Sequence, residues 1–290
     1  MAIAGKRRAR VFSAAHLAPN ILTMLALCAG LTSIRFALQS RWHMAVVAIV
    51  VAGVLDGLDG RLARLLKGAS KFGAELDSLS DFVSFGVAPM VLMYLWSLQA
   101  LGGVGWIVVL TFSICCALRL ARFNTALEDV DRPPWQANFF TGVPAPAAAG
   151  LSLLFVVVSF DAGDTFWRAP ATNAIWSLIV AFLMISRLPT FSFKKIRIRR
   201  DAVLPVLLVV AVLAAALASF PWYTLTALLV LYLASLPFAA RSYRRFAHGE
   251  AGSLIGASDE SEAEDLDAED GEETQQDRAQ PFPGPRDGGT

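Results

Sequence analysis

Charged side chains are scarce in this chain, 17% of its 290 residues against 56% hydrophobic, and its mean hydropathy is +0.54. A soluble domain carries about a quarter of its residues as charges, so the balance excludes an ordinary water-soluble fold. Cysteine is scarcer still. Cys28, Cys115 and Cys116 all fall in apolar stretches, with no zinc-ligand spacing and no disulfide framework. Adjacent Cys115 and Cys116 face different sides of a helix and read as small buried hydrophobes. Internal repeats are lacking. So is a small-residue cleavage site: the apolar run after the basic start MAIAGKRRAR continues to about Leu38, so a retained first helix is expected rather than a removed signal peptide.

Long apolar runs are abundant, several exceeding the roughly 18 residues that mark a spanning helix. Eight can be drawn, at 18–38, 43–66, 79–98, 103–123, 142–160, 171–187, 202–219 and 222–239. The expected fold is an all-α, polytopic transmembrane helical bundle. Positive charge alternates between the loops. Lys6, Arg7, Arg8 and Arg10 precede the first run, and Arg61, Arg64, Lys67 and Lys71 follow the second. Arg119, Arg122 and Arg132 end or follow the fourth; Arg187, Lys194, Lys195, Arg197, Arg199 and Arg200 follow the sixth; Arg241, Arg244 and Arg245 follow the eighth. The intervening loops hold only Arg35, Arg41 and Arg168. Because cytoplasmic loops carry the excess of Lys and Arg, both termini and the 61–78 loop are expected in the cytoplasm.

The near-neutral net charge hides two unlike parts. Residues 1–248 carry 23 Lys and Arg against 11 Asp and Glu, whereas 249–290 carry 2 against 13. The acidic tail has too few large apolar side chains to offset its ordering entropy and is expected to be disordered. The run FSFKKIRIRR at 191–200 alternates bulky apolar and basic residues; it suits either anchoring of the sixth span or a place on the bilayer surface. The chain divides into a basic segment at 1–17, a transmembrane core at 18–200, a further hairpin at 201–248 and the tail at 249–290.

Against this apolar background, four aspartates fall within 26 residues: Asp56, Asp59, Asp77 and Asp81. A carboxylate in lipid-like surroundings costs several kcal/mol, about 2.5 or more, unless something compensates it. On a helix Asp56, Asp59, Gly60 and Ala63 share one face, and the small residues leave room for a bulky ligand. Lys67, Gly68, Ser70 and Gly73 form a short basic link, after which Asp77 and Asp81 again share a face. If the two helices are antiparallel neighbours, all four carboxylates converge. An all-oxygen donor set without thiol or imidazole suits hard divalent cations. Two Mg²⁺ or Mn²⁺ ions so held can bridge a diphosphate, with Arg64 adding charge-assisted hydrogen bonds to phosphate. A carboxylate less engaged by metal can take a proton from an attacking hydroxyl.

Asp56-x-x-Asp59-Gly60-x-x-Ala63-Arg64, then eight residues, then Gly73-x-x-x-Asp77-x-x-x-Asp81, resembles the complete signature of CDP-alcohol phosphotransferases. The resemblance implies a six-helix membrane core, here with two further C-terminal spans, usually assembled as a homodimer. It implies transfer of a phosphatidyl or similar group from a CDP-linked donor to an alcohol, with release of CMP. Carried over by motif, Asp56, Asp59 and Asp77 are metal ligands, and Asp81 binds the second metal and acts as base. Gly60, Arg64 and Ser70 contact the CDP part of the donor. Pro19-Asn20-Ile21-Leu22-Thr23 resembles the first-helix element near the nucleotide, which brings in Asn20 and Thr23; Pro then Asn before an apolar run is also an ordinary helix start.

Three stretches, ELDSLSDFVSFGVAPM at 75–90, ALRLARFN at 117–124 and FFTGVPAPAAAG at 139–150, resemble the serine-accepting branch, bacterial phosphatidylserine synthases of the integral membrane type. That likeness implies CDP-diacylglycerol and L-serine as substrates and a bacterial inner membrane as location. Arg119 and Arg122 then meet the serine carboxylate or the donor phosphates, or else anchor the helix at the interface, and Asn124 assists with the acceptor. Gly142 to Pro146 shape a broken helix entry. Two other readings remain open at this point: the same chemistry on glycerol 3-phosphate, inositol phosphate or choline, and a cation transporter whose aspartates line an ion path. No nucleic-acid partner is expected.

Overall fold

The computed structural model describes residues 14–66, 70–127, 139–186, 189–191 and 203–238. The basic start, Lys67, Gly68, Arg132, the basic residues of the 191–200 run, Arg241 to Arg245 and the acidic tail, together with the expectations attached to them, lie outside the described residues.

Among the described residues eight long helices follow one another, as the apolar runs predict. They are α1 (Ala14–Leu38), α2 (Trp42–Leu65), α3 (Lys71–Trp96), α4 (Gly103–Leu127), α5 (Ala145–Ala162), α6 (Pro170–Ile185), α7 (Val203–Ser219) and α8 (Pro221–Phe238). Helices α1, α3, α4, α5 and α8 are long and apolar enough to cross a membrane, and α6 and α7 are shorter apolar helices. The chain is an all-α polytopic membrane bundle. Two three-residue strands that the sequence did not suggest, β1 (Phe139–Thr141) and β2 (Pro189–Phe191), pair antiparallel with Phe140 opposite Thr190. They tie the chain entering α5 to the chain leaving α6.

The third helix begins eight residues before the drawn apolar run. Ser70 caps it, its Oγ accepting from the Gly73 N–H at 3.0 Å. The first turns, KFGAELDSLSD, are too polar to extend an apolar run yet have one buried face, marked by Ser80. After Asp81 the helix widens into a π-helical turn over Phe82–Val87 before resuming as an α-helix. Pro89 lacks the N–H that an α-helix would direct at the Phe85 carbonyl, and a wider turn just before it accommodates the loss. Ser113 of α4 donates to the Gly86 carbonyl in that turn at 3.1 Å.

Small residues bring the first three helices close. A Cβ on Gly30 of α1 would land on Ser84 of α3. Nearby, Ser84 donates to the Ala26 carbonyl at 3.3 Å and Ser80 to the Thr23 carbonyl at 3.1 Å. Ser33 donates to Ala45 of α2 at 2.8 Å. Close backbone approach and interhelical hydrogen bonds are what hold helices together where lipid removes the hydrophobic contrast.

The core runs along the bundle between these helices. It is built from Ala45, Ile49 and Ala52 of α2, Phe85, Met90 and Trp96 of α3, Phe112 of α4, and residues of α5 and α6. At the end of the bundle away from the aspartates, Arg168 donates from Nε to the Trp96 carbonyl at 2.7 Å, and Ser97 donates to the Arg168 carbonyl at 2.8 Å. The amide of buried Asn173 reaches Ser97 Oγ and the carbonyls of Trp167 and Ala169 at 2.9–3.2 Å. At the other end Gly142 takes φ +80 against the Met184 carbonyl, where any Cβ would collide. A break in the chain before α5 is the role the GVPAP run suggested.

Candidate active site

Helix α2 is apolar through Leu55 and then presents its polar face. Asp56, Asp59 and Asp77 converge, each offering a carboxylate oxygen within 4.8 Å of the others'. Asp56 and Asp81 lie close enough for their carboxyl groups to hydrogen-bond, so Asp81 adjoins this triad through Asp56 and Asp77. Helix α1 sets this geometry from behind. Thr23 donates to Asp59 Oδ2 at 2.7 Å, while its carbonyl receives the bond from Ser80, the residue before Asp81. One threonine therefore registers both acidic helices. Asp59 is 4% exposed; the others are half-buried.

Like charges this close repel strongly. At about 4 Å and an effective dielectric near 20, each pair costs roughly 4 kcal/mol. Four carboxylates facing one another at the edge of an apolar core call for positive charge. The donor set is all oxygen, and the three-carboxylate spacing is compact enough to hold a metal ion; hard divalent cations fit these residues.

The glycines of the motif do two different things. A Cβ at Gly60 would meet nothing within 4 Å, so this face of α2 is open to a ligand. Gly73 is packed instead: a Cβ there would come 2.9 Å from Asn20 Oδ1 and 3.1 Å from Ser70 Oγ. Asn20 and Ser70, both expected near the nucleotide, thus flank Gly73, and Ser70 also caps α3. Arg64 is exposed and donates from Nε to the Gly60 carbonyl at 2.9 Å, which lays its guanidinium along the open face.

The two arginines of α4 part company. Arg119 is turned inward, within electrostatic reach of Asp81, with its Nε buried and without a hydrogen-bond partner. Arg122 is exposed and donates to the Ile185 carbonyl of α6 at 3.4 Å. Asn124 donates from Nδ2 to Ser78 Oγ at 2.8 Å, fastening α4 to α3 between Asp77 and Leu79. Ser78 and Ser80 were not singled out from the sequence; serines at short spacing inside an otherwise apolar span are the signal that would have found them. Tyr232 of α8, within electrostatic reach of Arg119, carried no such signal. An ion path predicts carboxylates spread through membrane depth, whereas these gather at one end of the bundle.

A family profile described as CDP-alcohol phosphatidyltransferase matches residues 16–186, and a second, CDP-alcohol phosphatidyltransferase 2, matches 201–237. The chain is 36% identical over 240 residues to a CDP-diacylglycerol–serine O-phosphatidyltransferase of Mycobacterium tuberculosis, covering 83% of this chain and 84% of that protein. It is 40% identical over 236 residues to the protein of that name from Mycobacterium leprae, covering 80% and 78%. The corresponding Helicobacter pylori protein is 39% identical over 184 residues, covering 63% and 75%.

Proposed function

This chain belongs to the CDP-alcohol phosphatidyltransferase family, and from that premise we propose that it moves the phosphatidyl group of CDP-diacylglycerol to the hydroxyl of L-serine. The observation that carries the reading is the meeting of four aspartates at one end of a membrane bundle, beside an open glycine face. The names of its relatives support serine as the acceptor.

In the reaction a bond forms between the serine hydroxyl oxygen and the phosphorus attached to the diacylglycerol oxygen. The bond from that phosphorus to the CMP oxygen breaks, and its electron pair leaves with CMP. Asp81 takes the hydroxyl proton; it stands on the opposite helix from Asp59, one turn beyond Asp77. Asp56, Asp59 and Asp77, with Asp81, would hold two divalent cations, Mg²⁺ or Mn²⁺. When bound, such ions neutralise the diphosphate and make CMP a better leaving group. Gly60 lets the nucleotide part of the donor approach the backbone, and Arg64 offers its guanidinium to phosphate. Thr23 holds Asp59 in one orientation and thereby keeps the cluster aligned.

Arg61, Arg64, Lys71, Arg119 and Arg122 lie at the aspartate end of α2, α3 and α4, which supports a cytoplasmic site at the inner leaflet of a bacterial cell membrane. Acyl chains then stay in lipid while serine arrives from water. A homodimer is the assembly the family resemblance implies. The test supplies purified protein with CDP-diacylglycerol and, in turn, labelled L-serine, glycerol 3-phosphate, inositol phosphate and choline, with and without chelator. Labelled lipid and CMP are expected from serine alone, and only with divalent metal. Product from glycerol 3-phosphate and not serine overturns the acceptor.

A further inference from the structure

Helix α8 lies beyond residues 16–186, the part of the chain that carries the motif and matches the family core, yet it is packed against that core. Trp222, Leu225, Leu229, Tyr232, Leu233 and Leu236 form its inward stripe. Gly150 of α5 admits it closely: a Cβ there would come 2.8 Å from Leu229 Cδ2. Trp222 packs its edge on Phe160 and His43 at 4.7 and 5.2 Å between ring centres. An apolar stripe accounts for every one of these residues except Tyr232.

The Tyr232 hydroxyl is buried and has no hydrogen-bond partner, and the same holds for Arg119 Nε. The two groups come from different helices and lie within electrostatic reach of each other, while Arg119 also reaches Asp81. A buried donor left unpaired costs about 1–3 kcal/mol, and native structures rarely keep one without a reason. Among the described residues Asn173 Oδ1 and Ser177 Oγ share this condition on α6, whereas Arg119 Nε and the Tyr232 hydroxyl come from two helices and interact electrostatically near Asp81. A guanidinium N–H only donates, and a phenol donates readily. Neither donor meets an oxygen acceptor among the described residues.

We propose that Tyr232 and Arg119 seat the carboxylate of the acceptor amino acid, with Tyr232 as a specificity-determining residue contributed by α8. The inference rests on serine transfer as the proposed function. The carboxylate accepts from the phenol and the guanidinium, which turns the serine hydroxyl toward Asp81. An alcohol without a carboxylate leaves both donors unpaired and is rejected for that reason. The C-terminal hairpin thus forms one wall of the acceptor pocket.

The test is Tyr232→Phe in the 290-residue chain, which removes one oxygen and keeps the packing. KM for L-serine is expected to rise about 10- to 100-fold, with kcat falling much less and KM for CDP-diacylglycerol unmoved. Preference for serine over serinol, which lacks the carboxylate, should shrink by a similar factor. Without substrate the variant should melt no lower than the native chain, because the lost hydroxyl was unpaired; L-serine should raise the melting temperature of the native chain but not of the variant. A lower melting temperature with unchanged KM for serine makes the hydroxyl structural and overturns the proposal. A rise in KM for CDP-diacylglycerol alone assigns the oxyanion to the donor phosphate and also overturns it. If the native chain does not use serine at all, the proposed function fails first, a result distinct from serine turnover that Tyr232→Phe leaves untouched.

Discussion

The two ends of this bundle bury polar groups to opposite purposes. At the end formed by Trp96, Ser97, Arg168 and Asn173, hydrogen bonds close loops: the Arg168 Nε meets a carbonyl and Asn173 Nδ2 serves three oxygens, although Asn173 Oδ1 and, one turn on, Ser177 Oγ are left without partners. At the other end four carboxylates confront one another, and Arg119 and Tyr232 hold donors without acceptors. The first arrangement stabilises the fold in the absence of any ligand. The second costs stability until cations and substrate arrive. Polarity inside a membrane bundle is therefore informative only once its partners are counted.

Substitutions can break that contrast, and the largest effect falls at the acidic end. Asp81→Asn is expected to lower turnover by roughly 10²- to 10⁴-fold, the usual worth of a general base, while leaving the melting temperature in detergent equal or higher because one repelling charge is gone. Full CMP release by that variant would remove Asp81 from the chemistry. Gly30→Val acts on both ends at once. Its side chain would be forced into Ser84, driving α1 from α3, and a loss of about 1–3 kcal/mol is expected, read as a lower melting temperature together with weaker activity. At the closed end, Asn173→Ala should cost about 1–3 kcal/mol with KM for both substrates unchanged in the molecules that remain folded. A shift in KM would show that the two ends are not independent. The smallest effect sharpens the dual position of Ser70. Ser70→Ala removes a helix cap worth about 1 kcal/mol; a KM for CDP-diacylglycerol that stays constant assigns the residue to capping, and one that rises assigns it to the donor as well.

Much of this architecture was legible in the sequence because a spanning helix must be both long and apolar. All eight runs correspond to helices, and the aspartates stood out because nothing else in the apolar segments resembles them. The start of α3 was not legible from apolarity. Residues 71–78 are polar on one side, so a search for continuous apolar runs trims them, although Ser70 in its capping position was there to be read. The β1–β2 ribbon joins segments about fifty residues apart and depends on where α4, α5 and α6 end, which no local pattern encodes. Tyr232 sits in LVLYLASL and looks like any aromatic in an apolar helix. Only the position of Arg119 across the helix interface makes its hydroxyl conspicuous.

The π-helical turn after Asp81 carries one more consequence. Each residue of an α-helix advances the side chain by about 100°, so a turn holding an extra residue rotates everything beyond it by that angle relative to a regular helix. In α3 the acidic side chains before the turn and the Met90, Met93 and Trp96 side chains after it are thereby each aimed at their own neighbours. Deleting a single residue from Phe82–Val87 would leave a segment still long enough to cross the membrane, but with its two halves out of phase: either the acidic cluster or the packed end could be satisfied, and not both.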